Sequence, residues 1–595
     1  MKRSGLLTVA VLFLACAREI PPPRVTALPG PETPDGSRLS RLTSSHHLEV
    51  FPSFSPRGDA LAFSSDRSGS LEIHVRQLTG RRGERRLTSD GRQNLQPAWS
   101  PNGELIAYCS RLRGGIWVIP ARGGEPRRLT DFGSNPAWSP DGTTLVFQSD
   151  PFTELSLFVF PALPPSTLWL VPAKGGTPRQ LTRPGGPSGG HGAPTWSPDG
   201  RRIAFTAFTL WGGKLWTVSA AGDDLKLIEG PRLPREPVYS PDGQTLYYSG
   251  PDPALGFTVW RIPVTGGKPV PVQSAPARDL ALSPDGRRLA FSHMDLDGRL
   301  WSIPVSPGTG ETAGPATALT TDPKGRESRP TFSPDGRRIA FYQPSPETNR
   351  IELWMMNADG TGRVRLSEEG TFASGQPIWM AGGSQIAFLS RAKGPAAVWK
   401  RIDLESRAVD TVAQPDEAWT WTRPSPDGRR LAIELADPEG TVNTWVLPSL
   451  DGEPRQITSD PEFAGSPIWS RNGDLLAVRL RRGSDGQIGL IPADGGPLEQ
   501  VTSGLNVVSQ PGWSPDDRKL VFAAERDGFW NLWWASRDGG PLHRVTDLPK
   551  KFNLYLRFPD WSPAGDRIVY EYGEILGELW MLDLGPGLAA TPGAM

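Results

Sequence analysis

Cysteine is almost missing from this chain, with only Cys16 and Cys109 among 595 residues, and that excludes a disulfide scaffold. Histidine is scarce as well, at six residues, and no ligand spacing such as His-x-x-x-His occurs. A charge of one sign is lacking: 64 Lys and Arg balance 64 Asp and Glu, with a pI near 7.1. The molecule as a whole therefore has no electrostatic reason to bind nucleic acid or an anionic surface. The apolar run at residues 5–15 is too short to span a bilayer. Turn chemistry is what abounds. The 67 Gly and 63 Pro make up more than a fifth of the chain, which is rarely a helical composition. With 37% hydrophobic residues, sizeable cores are expected and disorder is not.

The N-terminus reads as a targeting segment. Met1-Lys2-Arg3 is basic, residues 5–15 are apolar and Ala15-Cys16 closes the run, the three parts of a secretory signal. A Cys at that place is similar to a bacterial lipoprotein signal, which implies a lipidated Cys16 at the head of the mature chain. Phe13 and Leu14 depart from the usual lipobox, so an ordinary signal peptide with an incidental Cys is the alternative. Ala17 after the Cys fits onward export to an outer membrane, so the expected place is periplasmic, with a membrane contact through the lipid. Residues 17–40 are a Pro-rich tether, with Pro21-Pro22-Pro23 at its start. Cys109 falls in the run Leu105-Ile106-Ala107-Tyr108-Cys109 and reads as a buried thiol.

Repeats account for the rest. The turn Ser-Pro-Asp-Gly or a relative begins at Ser55, Ser100, Ser139, Ser197, Ser240, Ser283, Ser333, Met380, Ser425, Ser470, Ser514 and Ser562. The mean spacing is about 46 residues, the length of one four-stranded propeller blade. Pro presets the first central position of such a turn, and Gly takes the left-handed position that closes it. Gly fills that place in every copy but one, where Asp517 stands. An apolar or aromatic pair precedes the turn, as in Ala98-Trp99 or Ile468-Trp469. A short run such as Leu61-Ala62-Phe63 follows, then a third such as Ile116-Trp117-Val118, then a fourth ending in Leu-Thr, as in Leu87-Thr88. Seventeen of the 22 Trp fall before turns or in third strands, where they are expected in cores.

These residues resemble the WD40-like, or PD40, repeats of the TolB propeller and of the propeller in dipeptidyl-peptidase-IV-type enzymes. The resemblance covers nearly all of residues 41–584 and implies an all-β fold of tandem β-propellers. A lone fourth-strand sequence, Arg41-Leu42-Thr43, opens the folded region, and a third strand, Leu579-Trp580-Met581-Leu582, ends it. The same break recurs between Leu300-Trp301-Ser302-Ile303 and Ala318-Leu319-Thr320. The reading is therefore twelve four-stranded blades in two six-bladed rings, at 41–305 and 318–584, each closed by its own opening strand. Residues 306–317 are then a linker and 585–595 a tail. A split into seven and five blades is the alternative. Neither the hydrolase domain of dipeptidyl-peptidase-type enzymes nor the small α/β domain of TolB is expected here.

The residue four before each turn should ring the channel mouth. In the first propeller these are Phe51, Gln96, Asn135, Ala193, Glu236 and Asp279; in the second, Arg329, Gln376, Trp421, Ser466, Gln510 and Phe558. Either the two rings bind different ligands, or both are ordinary solvated channels. His46, His47, His191 and His293 fall in loops of the first propeller and are weak metal candidates; no metal or cofactor is expected. Gly186-Pro187-Ser188-Gly189-Gly190 satisfies the Gly-x-Ser-x-Gly pattern, but no strand-to-helix elbow surrounds it. Trp211 beside a Gly pair could stack on a sugar or simply fill a loop. The apolar stretch 152–160, with Phe158 near its end, is either a partner patch or a plug for the channel.

The function expected from this is a monomeric, exported, lipid-anchored, non-catalytic propeller that binds a protein or an envelope glycan and no nucleic acid. The alternative is a propeller lyase or hydrolase acting on a polysaccharide or peptide through Glu236, Asp279 and a loop histidine.

Overall fold

The twelve turns adopt the geometry their residues dictate. In the computed structural model the closing glycines, from Gly58 to Gly565, have φ between +68° and +79°, and Asp517 takes +54°. The Asp517 carboxylate also accepts the amides of Arg471 (2.8 Å) and Asn472 (3.0 Å) in the neighbouring turn. The structure describes residues 38–584 apart from 45–46, 81–82, 151–165, 210–211, 232, 253–255, 273–274, 322–325, 346–350, 368–375, 381, 391–397, 414–419, 437–440, 450–451, 483–484, 508, 528 and 552.

Each turn joins two antiparallel strands, and among the described residues every regular element is a strand. There are nine four-stranded sheets, one of five strands and one of six. A typical four-stranded sheet runs in chain order through Glu49–Phe54, Ala60–Ser65, Glu72–Gln77 and Glu84–Arg86. The Thr of the Leu-Thr signature secures the outer strand: Thr88 Oγ1 accepts the Ile73 amide, and Thr130, Thr182, Thr502 and Thr546 repeat the bond at 2.9 Å. Apolar clusters fill the spaces between consecutive sheets, such as Ala62, Ile73, Tyr108 and Ile119. Cys109 is buried as expected.

The six-stranded sheet departs from the sequence reading. Arg288–Pro304 and Arg567–Asp583 are 17-residue strands paired antiparallel along their whole length. At one end the order is Arg278–Leu282, 288–292, 579–583, Arg38–Arg41. At the other end it is Leu554–Trp561, 567–572, 300–304, Thr317–Ala318. Each end therefore has the four strands of an ordinary sheet, but with third strands exchanged. The opening strand was expected beside 300–303, and it pairs instead with Trp580–Asp583. Thr43 Oγ1 correspondingly accepts the Leu579 amide, and Thr320 Oγ1 that of Leu300. Residues 306–317 connect Arg288–Pro304 to Thr317–Ala318, and Thr312 Oγ1 donates to the Val545 carbonyl at 2.7 Å.

The physical reason is the absence of a hairpin turn. Residues 293–299 and 572–578 contain no Pro, and their one Asp-Gly pair, Asp297-Gly298, lies extended within the strand opposite Glu574 and Gly573 instead of forming a turn, so each strand runs straight on. Gly298 and Gly573 face each other midway, with the Tyr555 hydroxyl against both. On one flank Leu48, Val50, Leu71 and Leu95 share a buried cluster with Val521, Trp530, Leu532 and Tyr555, joining the two halves of the chain. Arg481 reaches Asp150 at 2.9 Å across the same seam, and Arg111 pairs with Glu525.

Candidate functional site

Besides Thr420–Pro424, nine first strands carry a register shift against their neighbours just before the Ser-Pro-Asp-Gly motif, the mark of a β-bulge. In each, the residue four before the turn lies in the left-handed region: Phe51, Gln96, Asn135, Ala193, Glu236, Asp279, Arg329, Ser466 and Phe558, with φ between +49° and +58°. Such a conformation costs a non-glycine residue about 1 kcal/mol or more. A belt of hydrogen bonds between sheets offsets it. The Asn135 amide donates to Gln96 Oε1 (2.8 Å), that of Ala193 to Gln148 Oε1 (3.0 Å) and that of Asp279 to Glu236 Oε2 (2.5 Å). The Phe51 amide donates to Ser292 Oγ at 3.1 Å and to the Asp279 carboxylate. The amides of Ser466 and Arg329 are taken by Glu434 and Glu571.

The first strands touch in sequence, from Glu49–Phe54 through Asn94–Trp99, Ser134–Trp138, Gly190–Trp196 and Arg235–Tyr239 to Arg278–Leu282, which contacts Glu49–Phe54 again. In the second half, Leu554–Trp561 contacts both Ser328–Phe332 and Gly512–Trp513, and Thr420–Pro424 contacts Ala464–Trp469. The strands that carry the first six predicted residues are thus brought into one cycle, yet several of these residues direct their side chains along the belt. Gln376 Nε2 likewise donates to the Pro330 carbonyl at 3.1 Å. Trp421 lies in the strand Thr420–Pro424, its side chain outside the described residues, as are Cys16, His46, Phe158 and Trp211.

The two halves differ in charge. In the first, Glu236 and Asp279 are matched by Arg235 and Arg278, with Arg278 4.0 Å from Glu236. Burial, and next the Glu236 charge, push the Asp279 carboxyl up to about 7. Burial and the Arg278 charge bring the Arg235 guanidinium down to about 9; it stacks on Phe257 at 4.3 Å. In the second half the Arg557 and Arg329 charges act on Glu571, and those of Arg471 and Arg423 on Asp560. Arg329 lies over Phe558 at 4.2 Å, and burial lowers both it and Arg423 to about 10. Arg423 Nη2 donates to Gln376 Oε1 at 3.2 Å. Asp560 accepts the Phe332 amide at 2.8 Å, with Arg471 at 3.9 Å, and burial raises it and Glu571 above the usual carboxylate range.

Among the described residues no histidine joins the Glu236 and Asp279 carboxylates. His191 is fully buried between Thr182 Oγ1 (2.8 Å) and the Pro187 carbonyl (2.7 Å). His293 Nδ1 meets the Pro276 carbonyl at 3.0 Å and its ring packs on Trp580. His47 is 3.6 Å from Asp66. Among the described residues no three His, Cys, Asp or Glu side chains are grouped to hold a metal ion.

Arg423 and Asp560 escaped the sequence reading, although a signal existed. They are the two charged residues among the twelve that stand two before a turn, where Ala, Ile, Thr, Val, Ser and Gly otherwise occur. Glu434 and Glu571 left no comparable trace, because their role depends on which strand lies alongside.

Asp279 gives a pH test. Its folded-state pKa is raised, so the folded protein holds a proton that the unfolded chain has lost, and this group's contribution to stability declines as pH climbs from about 4 to about 7. The stability advantage of Asp279→Asn over wild type is expected to grow by at least about 1 kcal/mol between pH 5 and pH 8. Urea midpoints at the two pH values check this; parallel behaviour of variant and wild type would count against it.

Known proteins share parts of this architecture. The family model described as the TolB beta propeller domain matches residues 33–160 and 425–575. An uncharacterized protein of Agrobacterium fabrum is 28% identical over 205 residues, 33% of this chain and 65% of that protein. A tricorn protease homolog of Streptomyces coelicolor is 27% identical over 315 residues, 47% of this chain and 26% of that protein. The chain thus spans less than two thirds of either relative. A solved structure of a TolB from Agrobacterium tumefaciens, so named provisionally, aligns with a TM-score of 0.37 at 15% identity, covering 47% of this chain and 99% of its own.

Proposed function

We propose that this chain, which carries the TolB-type propeller repeat, is an exported binding protein of two six-bladed rings, anchored through a lipidated Cys16. It takes a protein or cell-envelope ligand on its loop faces without altering it chemically. The closed cycle of first-strand contacts supports the ring reading. The first ring then comprises 38–293 with 579–584, and the second 300–572, set into the last blade of the first. These bounds replace 41–305 and 318–584, and 306–317 becomes a connection within one blade.

The observation that carries the non-catalytic reading is the use made of the ring carboxylates. Glu236 accepts the Asp279 amide and Asp279 the Phe51 amide, which makes them ties between blades, and among the described residues no histidine stands beside them. The test captures partners from native envelope extract with the full chain, wild type against Glu236→Gln/Asp279→Asn. The expected result is one specific partner, retained by the variant, and no turnover of polysaccharide or peptide by either. Capturing nothing, with turnover that Glu236→Gln abolishes, would overturn it. For the anchor, Cys16→Ser should abolish labelling by a fatty-acid analogue and release the protein from membranes.

A second reading, a propeller enzyme of the first ring, is favoured by one observation: Asp279 Oδ2 is buried without a hydrogen-bond partner, and its carboxyl titrates near neutrality. The likeness to a protein named a tricorn protease homolog points the same way.

A further inference from the structure

We propose that the axis of the second ring holds an oxyanion site, built by Arg423 and Gln510, that receives a carboxylate group of the ligand. It rests on the ring and binding readings above and deepens them.

Gln510 is 4% exposed, and neither its amide oxygen nor its nitrogen has a hydrogen-bond partner in the chain. Arg423 Nη1 is buried and likewise unpartnered, while Nη2 is engaged by Gln376. Leaving a buried amide unbonded costs about 1–3 kcal/mol, and more for a charged group. Two such donors in one half of the chain, one of them on a cation, point to an acceptor from outside the chain.

The placement agrees. Gln510 stands four residues before its turn, the same step as Arg329 and Phe558. Two residues on, a side chain at Gly512 would meet the Pro559 carbonyl at 2.5 Å, so this strand runs directly beside Phe558–Asp560. Asp560 is the nearest countercharge to Arg423, and Arg329 feels Arg423 as a like charge. Asp560 also accepts the Phe332 amide and the Thr331 hydroxyl, and among the described residues no carboxylate oxygen bonds Arg423 Nη1. A planar two-oxygen anion matches an Arg edge with an amide N–H beside it.

The experiment is thermal unfolding of the full chain in succinate, succinamide and inorganic phosphate at constant ionic strength. Succinate is expected to raise the wild-type Tm by about 2–4 °C at saturation, with succinamide inert and phosphate weaker. Gln510→Leu removes an unbonded amide, so it should be at least as stable as wild type without ligand, while its apparent succinate affinity falls about tenfold or more. Arg423→Met should abolish the shift, and it decides the matter if Gln510→Leu does not fold. An equal succinate shift in wild type and Arg423→Met, or phosphate matching succinate, would overturn the site. A protein that still captures its envelope partner yet ignores succinate would refute this inference alone, leaving the binding function intact.

Discussion

Leu582→Asp is expected to unfold the sheet end that holds Arg38–Arg41 and to spare the one that holds Thr317–Ala318. Leu582 is fully buried, paired with Leu289 on one side and Leu39 on the other. A carboxylate there has no partner within that cluster of Leu280, Leu289, Phe291 and Leu582, and the cost is about 4 kcal/mol or more. Hydrogen exchange locates the damage. Amides of 38–41 and 288–292 should lose protection, while those of 301–302 and 317–318 keep theirs. Had the chain formed two consecutive rings, Leu582 would belong to the second, and the pattern would be reversed. Loss at 317–318 with 38–41 untouched would therefore refute the exchange of third strands.

The second large effect concerns the midpoint of the paired 17-residue strands. A Cβ on Gly298 would lie 2.5 Å from the Tyr555 hydroxyl oxygen, with every other neighbour at 3.7 Å or beyond. A Cβ on Gly573 would meet both Tyr555 and, at 2.5 Å, the Asp297 carbonyl. Gly298→Ala should cost about 2 kcal/mol and Gly573→Ala about 3. Tyr555→Phe separates them, since it removes the one atom that Gly298→Ala strikes and leaves the backbone oxygen that Gly573→Ala strikes. The double variant Gly298→Ala/Tyr555→Phe is therefore expected to be about as stable as Tyr555→Phe alone, a coupling of about 2 kcal/mol, whereas Gly573→Ala/Tyr555→Phe stays destabilised. Denaturant midpoints of the single and double variants give the cycle. Simple additivity for the Gly298 pair would mean that the hydroxyl does not set the spacing.

Most of the local architecture was legible because it follows from short-range rules. Ser139 and Asp141 close their turn within five residues, through a 2.6 Å hydroxyl–carboxylate bond that holds Asp141 below the usual carboxylate range, and the turn copies repeat the device. The positions four before each turn were also legible, since counting back along an extended strand leads to one place. Their conformation was not. That Phe51 and Asp279 lie at positive φ depends on an amide acceptor offered by the next sheet, Ser292 or Glu236, and no local pattern announces such a neighbour. For the same reason Glu236 and Asp279, which as isolated residues suggest acid–base chemistry, act as ties between blades.

The amino-acid sequence by itself determined the repeat, its turns, the Leu-Thr ties, the all-β class and the register of residues around the axis, because each rests on contacts within one blade length. Only the tertiary structure decided which strands close which sheet, how charge divides between the two halves, and that Arg423 Nη1 and the Gln510 amide are left without a partner. A third strand meets the same backbone acceptors and the same Leu-Thr partner in either sheet, so pairing chemistry alone does not choose between them. The choice falls to residues 293–299 and 572–578, which lack a turn and therefore carry each strand across to the other half.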